Sequence, residues 1–222
     1  MSMSLNEYID HTLLKPEACE ADFQKLCSEA LEHQFAAVCV PSSWLSYCKK
    51  LLGSSNVKLC TVVGFPGGYN ASSAKAFEAK VASDLGAHEI DMVINVGFIK
   101  SSQWPQVLED IKSVRQACSG KVLKVILETA LLTDDEISQA CQMAMDAGAD
   151  FVKTSTGFST RGASLEDIQI MKQAVGDRLG IKASGGIRDV AAAKAMIEAG
   201  ATRLGTSQGV QIIQGLDTDG SY

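Results

Sequence analysis

Gly148-Ala149-Asp150-Phe151-Val152-Lys153-Thr154-Ser155-Thr156-Gly157 packs a helix end, a short apolar strand and a turn into a single stretch. Its first glycine suits a left-handed helix C-cap, and the strand that follows is long enough to cross a core. Two further segments open the same way: Gly86-Ala87-His88-Glu89-Ile90-Asp91 and Gly200-Ala201-Thr202-Arg203-Leu204-Gly205. In each, a chemically distinctive residue (Asp91, Lys153 or Gly205) stands five places after the glycine, where the strand is expected to emerge. In a parallel barrel, that end carries the active site.

Short β-branched runs recur at 8–12, 36–40, 58–63, 89–95, 123–128, 151–154, 180–184 and 203–206. Between them, stretches such as 22–33, 73–85, 104–118, 134–147, 165–175 and 190–199 space apolar residues by three and four, the helical period. This alternation specifies a parallel sheet with crossover helices. The reading is an α/β fold of the (β/α)8 barrel type, a TIM barrel, in one domain over 1–222. Its loops must be short, because the chain falls below the roughly 250 residues typical of that fold. A doubly wound open sheet is the alternative, although no G-x-G-x-x-G follows the first strand to support dinucleotide binding. The polar end from 216 to Tyr222 is expected to form a short mobile tail.

Lys153 and Lys182, the latter in Ile181-Lys182-Ala183-Ser184-Gly185-Gly186, both end apolar runs and precede Gly-rich turns. A buried ammonium loses hydration, so such a lysine finds a carboxylate or gives up its proton. The separation (182 − 153 = 29) is about one strand-helix-strand unit, which brings both lysines to one sheet edge. A second ammonium there favours a neutral amine, the form that attacks carbonyls. Lys153 is read as that nucleophile, and Lys182 with Asp91 as a proton-transfer pair in which a carboxylate keeps Lys182 charged. Asp91 also has a purely structural reading, as compensation for a buried charge. Lys124 is expected near the start of its strand, away from the site, sharing a face with Glu128 in a structural role.

Ser184-Gly185-Gly186-Ile187-Arg188 and Gly205-Thr206-Ser207-Gln208-Gly209 place small residues between a strand and a helix. Backbone N–H groups there can approach an anion, and the loops after the seventh and eighth strands are the usual phosphate position in barrels. Gly185, Gly186, Gly205 and Ser207 are therefore phosphate-binding candidates, with Gly157 as a neighbour. Cys39, late in the second strand, is a candidate pocket residue.

Composition narrows the function. With 20 Lys+Arg against 26 Asp+Glu and a net charge of −6, no basic cluster is available for nucleic acid. The seven cysteines are odd in number and lack C-x-x-C spacing, which suits reduced thiols and a cytoplasmic location. Three scattered histidines argue against a zinc site, so no metal is expected. There is no G-x-S-x-G elbow or Walker A motif, and no apolar run approaches the about 18 residues of a membrane span.

With these residues in place, the chain resembles the deoxyribose-phosphate aldolases, class I (Schiff-base) enzymes. The likeness runs through Asp10-His11-Thr12-Leu13-Leu14, Glu89-Ile90-Asp91-Met92-Val93-Ile94-Asn95, Lys124-Val125-Ile126-Leu127-Glu128-Thr129, Phe151 to Phe158, and Ile181 to Arg188. The resemblance implies a (β/α)8 barrel that reversibly cleaves 2-deoxy-D-ribose 5-phosphate to acetaldehyde and D-glyceraldehyde 3-phosphate without a cofactor. It implies the Schiff base at Lys153, proton relay at Lys182 and Asp91, and phosphate binding around Gly157, Gly185, Gly186, Gly205 and Ser207. Asp10 and Thr12 match pocket residues of less defined role, and Tyr222 matches a terminal tyrosine that reaches the site in some members. Ala183 departs from a proline, and Phe158 from a phosphate-side lysine, found in some members; weaker phosphate affinity is the expected result. A dimer or tetramer is expected on the same ground. The alternatives are another Schiff-base phosphosugar aldolase or transaldolase, or a phosphosugar-binding barrel without chemistry.

Overall fold

Eight parallel strands close on themselves in sequence order, which settles the barrel against the open sheet. The structure, a computed structural model, describes residues 4–216; Tyr222 and the expected tail beyond 216 lie outside them. The strands are β1 (Ile9–Thr12), β2 (Ala37–Val40), β3 (Lys58–Val63), β4 (Glu89–Val93), β5 (Val122–Ile126), β6 (Phe151–Lys153), β7 (Gly180–Ser184) and β8 (Arg203–Thr206). The longer helices between them are α1 (Glu20–Glu32), α2 (Leu45–Leu52), α3 (Ser72–Asp84), α4 (Val96–Lys100), α5 (Trp104–Ala117), α6 (Asp134–Asp146), α7 (Leu165–Val175), α8 (Val190–Glu198) and α9 (Gly209–Gln214).

Strand alternation builds two interiors. Ile90, Met92, Leu123, Val125, Val152, Ile181, Ala183 and Leu204 pack outward against the helices in one continuous apolar core. The alternate positions face the barrel axis. On the β2–β3 side these are small and apolar (Ala37, Cys39, Cys60 and Val62); opposite them lie Asp10, Glu89, Asp91, Lys124 and Lys182, all buried. Side-chain period two thus sorts apolar from charged residues within the same strands.

Two strands end two residues before the sequence reading places their ends, and β6 ends one residue early, at Lys153. Asn95 turns inward to cap α4, its side chain accepting from Phe98 N, so β4 stops at Val93. Beyond Ile126 the chain turns, and Glu128 adopts φ 57° and ψ 59°, which breaks the alternation that put it on the face of Lys124.

A buried ion pair ties α3 to α5. Lys75 Nζ donates to Asp110 Oδ2 at 2.7 Å and to Val93 O at 2.9 Å, and neither side chain is exposed. Burial lowers the Lys75 ammonium from its ordinary range, against the pull of Asp110. Asp110→Ala, which strands that cation, is expected to cost about 3 to 5 kcal/mol in urea unfolding, while the double replacement Lys75→Met with Asp110→Leu recovers most of the loss.

Candidate active site

The three residues singled out from sequence converge inside the barrel. Lys153 closes β6, beside Lys182 on β7 in register. Asp91 Oδ2 accepts from Lys153 Nζ at 2.9 Å and from Lys182 Nζ at 2.8 Å. Lys182 also reaches Asp10 Oδ2 at 2.5 Å, and Asp10 Oδ1 takes Arg203 Nη1 at 2.7 Å. Asp10 is therefore a direct partner of Lys182, across the closure of β1 on β8.

The placement of Lys124 requires correction. It donates to Asp91 Oδ1 at 2.8 Å and contacts Glu89 Oε2 at 2.5 Å and Asp10 Oδ2 at 3.7 Å. Asp91 and Lys124 are each the third residue of a five-residue strand and pair directly in register across β4 and β5, so Lys124 lies in mid-strand rather than near its start. The sequence reading also missed Glu89 and Arg203, which interact at 3.2 Å. Glu89 was within reach of it, since alternation puts residue 89 on the face of residue 91; Arg203 becomes visible only on closure.

These contacts set the charges. Burial alone would raise the Asp91 carboxyl, but Lys124, Lys153 and Lys182 outweigh it and hold the group well below 3.8. Burial likewise opposes the ammonium of Lys182, and Asp10 and Asp91 overcome it to raise that group well above 10.5. Lys124 is raised for the same reason. Lys182 and Lys124 are thus firmly cationic. Cys39 is fully buried, and pairing with the Cys60 thiol lowers its own. The donor atoms of Cys39, Cys60 and Asp91 lie within 4.8 Å of one another, yet both Asp91 oxygens already hold ammonium groups, which a metal ion would have to displace.

Above this layer, Thr12, Leu13, Leu14, Lys15, Thr156, Phe158 and Ser207 line a small cleft. Phe158 is half exposed and meets Phe65 edge to face at 5.3 Å. Gly157, Gly185 and Gly186 have φ of 87°, 83° and 79°, the turn geometry that aims backbone amides outward. Gly185 has a second constraint: a Cβ there would lie 2.9 Å from Gly162 Cα. Asp189 caps α8 by accepting from Ala192 N, so the anion seat this geometry offers is the glycine turn ahead of that helix. Gly205 sits within β8, where a Cβ would come within 3.0 Å of Lys182 Cε; its smallness makes room for the lysine stem. Ser207 is exposed at the cleft.

A parallel barrel with paired lysines around a buried carboxylate is the arrangement of an amine-dependent aldolase, and the chain belongs to the DeoC/LacD family of aldolases, whose model matches residues 5–215. Among its relatives, deoxyribose-phosphate aldolase of Mannheimia succiniciproducens is 56% identical, with 98% of each chain covered. That of Lactococcus lactis subsp. lactis is 54% identical over 99% of this chain and 100% of the relative. The tetrameric deoxyribose phosphate aldolase structure from Aeropyrum pernix superposes with a TM-score of 0.86 at 36% identity, covering 95% of this chain and 89% of that one. No described helix is long and apolar enough to cross a membrane.

Proposed function

We propose that this barrel reversibly cleaves 2-deoxy-D-ribose 5-phosphate to acetaldehyde and D-glyceraldehyde 3-phosphate through an imine on Lys153. The observation that carries the reading is one carboxylate, Asp91, shared between Lys153 at 2.9 Å and Lys182 at 2.8 Å. Lys153 contacts one carboxylate and Lys182 two, so Lys153 has less to lose on becoming covalent. Its amine adds to C1 of the open-chain sugar, and loss of water leaves an iminium, an electron sink. The C3 hydroxyl then gives its proton to water that relays it toward the Asp91–Lys182 pair, the C2–C3 bond breaks, and its electron pair flows to the iminium to give an enamine. Lys182, held charged by Asp10 and Asp91, supplies the proton to C2 through water. Hydrolysis releases acetaldehyde and restores the amine, with no metal or organic cofactor in the cycle.

Phosphate is held by the Gly157 and Gly185-Gly186 turns with Ser207, and this remote binding orients the reacting carbon. Thr12 lines the approach, whereas Cys39 is fully buried beside Cys60. The cleft presents Phe158 where a cation would strengthen phosphate binding. Phe158→Lys is expected to lower KM for the sugar phosphate roughly threefold with kcat unchanged, an effect that fades as salt is raised. The function is tested by coupled assay of 2-deoxyribose 5-phosphate cleavage beside other phosphosugars. Transfer from a ketose phosphate instead would favour a transaldolase, and binding without cleavage would favour a barrel without chemistry.

A homo-oligomer in the cytoplasm belongs to the same proposal. The Aeropyrum pernix relative is tetrameric, Tyr69 and Phe77 are 80% and 69% exposed here, and seven free thiols suit a reducing compartment. Sedimentation of the purified chain measures the assembly.

A further inference from the structure

The turn after β5 places a carboxylate that the scheme above leaves unused. Glu128 is held in a left-handed conformation, which a residue with a Cβ adopts only when its surroundings impose it. Its side chain is buried. Oε2 accepts from Thr156 Oγ1 at 2.5 Å and from Thr156 N at 3.3 Å, while Oε1 has no hydrogen-bond partner among the described residues. Burial raises this carboxyl, and the two Thr156 bonds oppose the rise. Phe158 N donates to Thr156 Oγ1 at 3.0 Å.

These bonds orient the hydroxyl. Because Oε2 receives an amide N–H, it is an acceptor, and the single proton of the Thr156 hydroxyl goes to it. The Phe158 amide takes one lone pair of Oγ1, leaving the other for the cleft that Thr156 lines with Thr12, Lys15 and Ser207. We infer that Glu128 is a positioning residue that makes the Thr156 hydroxyl an obligate acceptor for the 2-hydroxyl of the incoming aldehyde, the group that becomes the C4 hydroxyl of the sugar.

This inference rests on the proposed aldol reading. In that reading C1 is bound at Lys153 and the phosphate at the glycine turns. Thr156 stands between them in the chain and adjoins Gly157, whose Cα lies 3.6 Å from where a Cβ of Gly185 would be. The C4 hydroxyl lies on that span. An oriented acceptor rejects an aldehyde lacking the hydroxyl, because its lone pair is then buried unpaired; the phosphate seat alone makes no such distinction.

The test compares addition of acetaldehyde to D-glyceraldehyde 3-phosphate and to 3-oxopropyl phosphate, which lacks the 2-hydroxyl. Deuterium exchange at acetaldehyde C2, which needs no acceptor, is followed in parallel. Wild-type protein is expected to prefer the hydroxylated acceptor in kcat/KM by roughly 10- to 100-fold. Glu128→Met and, independently, Thr156→Val are expected to lose most of that preference while exchange continues. Glu128→Gln, whose carbonyl still accepts, retains it. A preference that survives both Glu128→Met and Thr156→Val overturns the inference, as does an equal loss on both acceptors and on exchange, which would make Glu128 a loop brace. Wild-type protein that exchanges no acetaldehyde protons overturns the aldolase reading, and this inference with it.

Discussion

Replacing Lys153 with alanine is expected to reduce kcat/KM for 2-deoxyribose 5-phosphate by at least about 10⁴-fold, the scale on which removing a covalent nucleophile acts. None of the remaining groups offers an amine at that position. Circular dichroism and unfolding should remain close to wild type, because Asp91 keeps Lys124 and Lys182 as counter-ions after the substitution. Mass spectrometry after adding substrate and borohydride locates the covalent residue. An imine reduced onto Lys153 in the wild type, and absent from the variant, is the expected result. An adduct on Lys182 or Lys124 would keep the reaction class and overturn the assignment of roles.

Asp91→Asn should damage both stability and catalysis. Asp91 holds Lys124, Lys153 and Lys182 together in a buried layer, and removing one partner from a buried ion pair costs about 3 to 5 kcal/mol. Turnover should fall by roughly 10² to 10⁴, the range of general acid–base contributions. The pH dependence has a definite sign. The folded-state carboxyl lies well below 3.8, while the unfolded value is about 3.9. The stabilisation is therefore complete above the unfolded value and is lost progressively as pH falls toward the folded one. Urea unfolding of wild type and variant should show a gap that is constant near neutrality and narrows below about pH 4. A gap that widened with acid would show that Asp91 is not the carboxylate these lysines hold ionised.

The chain's own spacing made the barrel and half of the site legible. Period-two strands alternate with helices of period 3.6, and chirality leaves few ways to fold that alternation. The Gly-Ala repeats place Lys153 at the end of β6, and the 29-residue offset places Lys182 beside it. Strand ends were less legible at Asn95 and Glu128, where side-chain capping and a left-handed turn override the apolar run.

Sequence by itself determined which residues face inward along each strand, and so supplied the proposed nucleophile, its neighbouring lysine and the shared carboxylate. Only the tertiary structure decided how those faces meet. Asp10 and Lys182 are 172 residues apart in the chain and become partners because β1 closes on β8. Lys124 touches Asp91 because β4 and β5 pair the two directly in register. Glu128 accepts from Thr156 through a turn that no periodicity encodes. Local pattern specifies direction, whereas register and closure depend on packing the whole ring at once; the electrostatics of this site, which follow from distances of 2.5 to 2.9 Å, could arise only there.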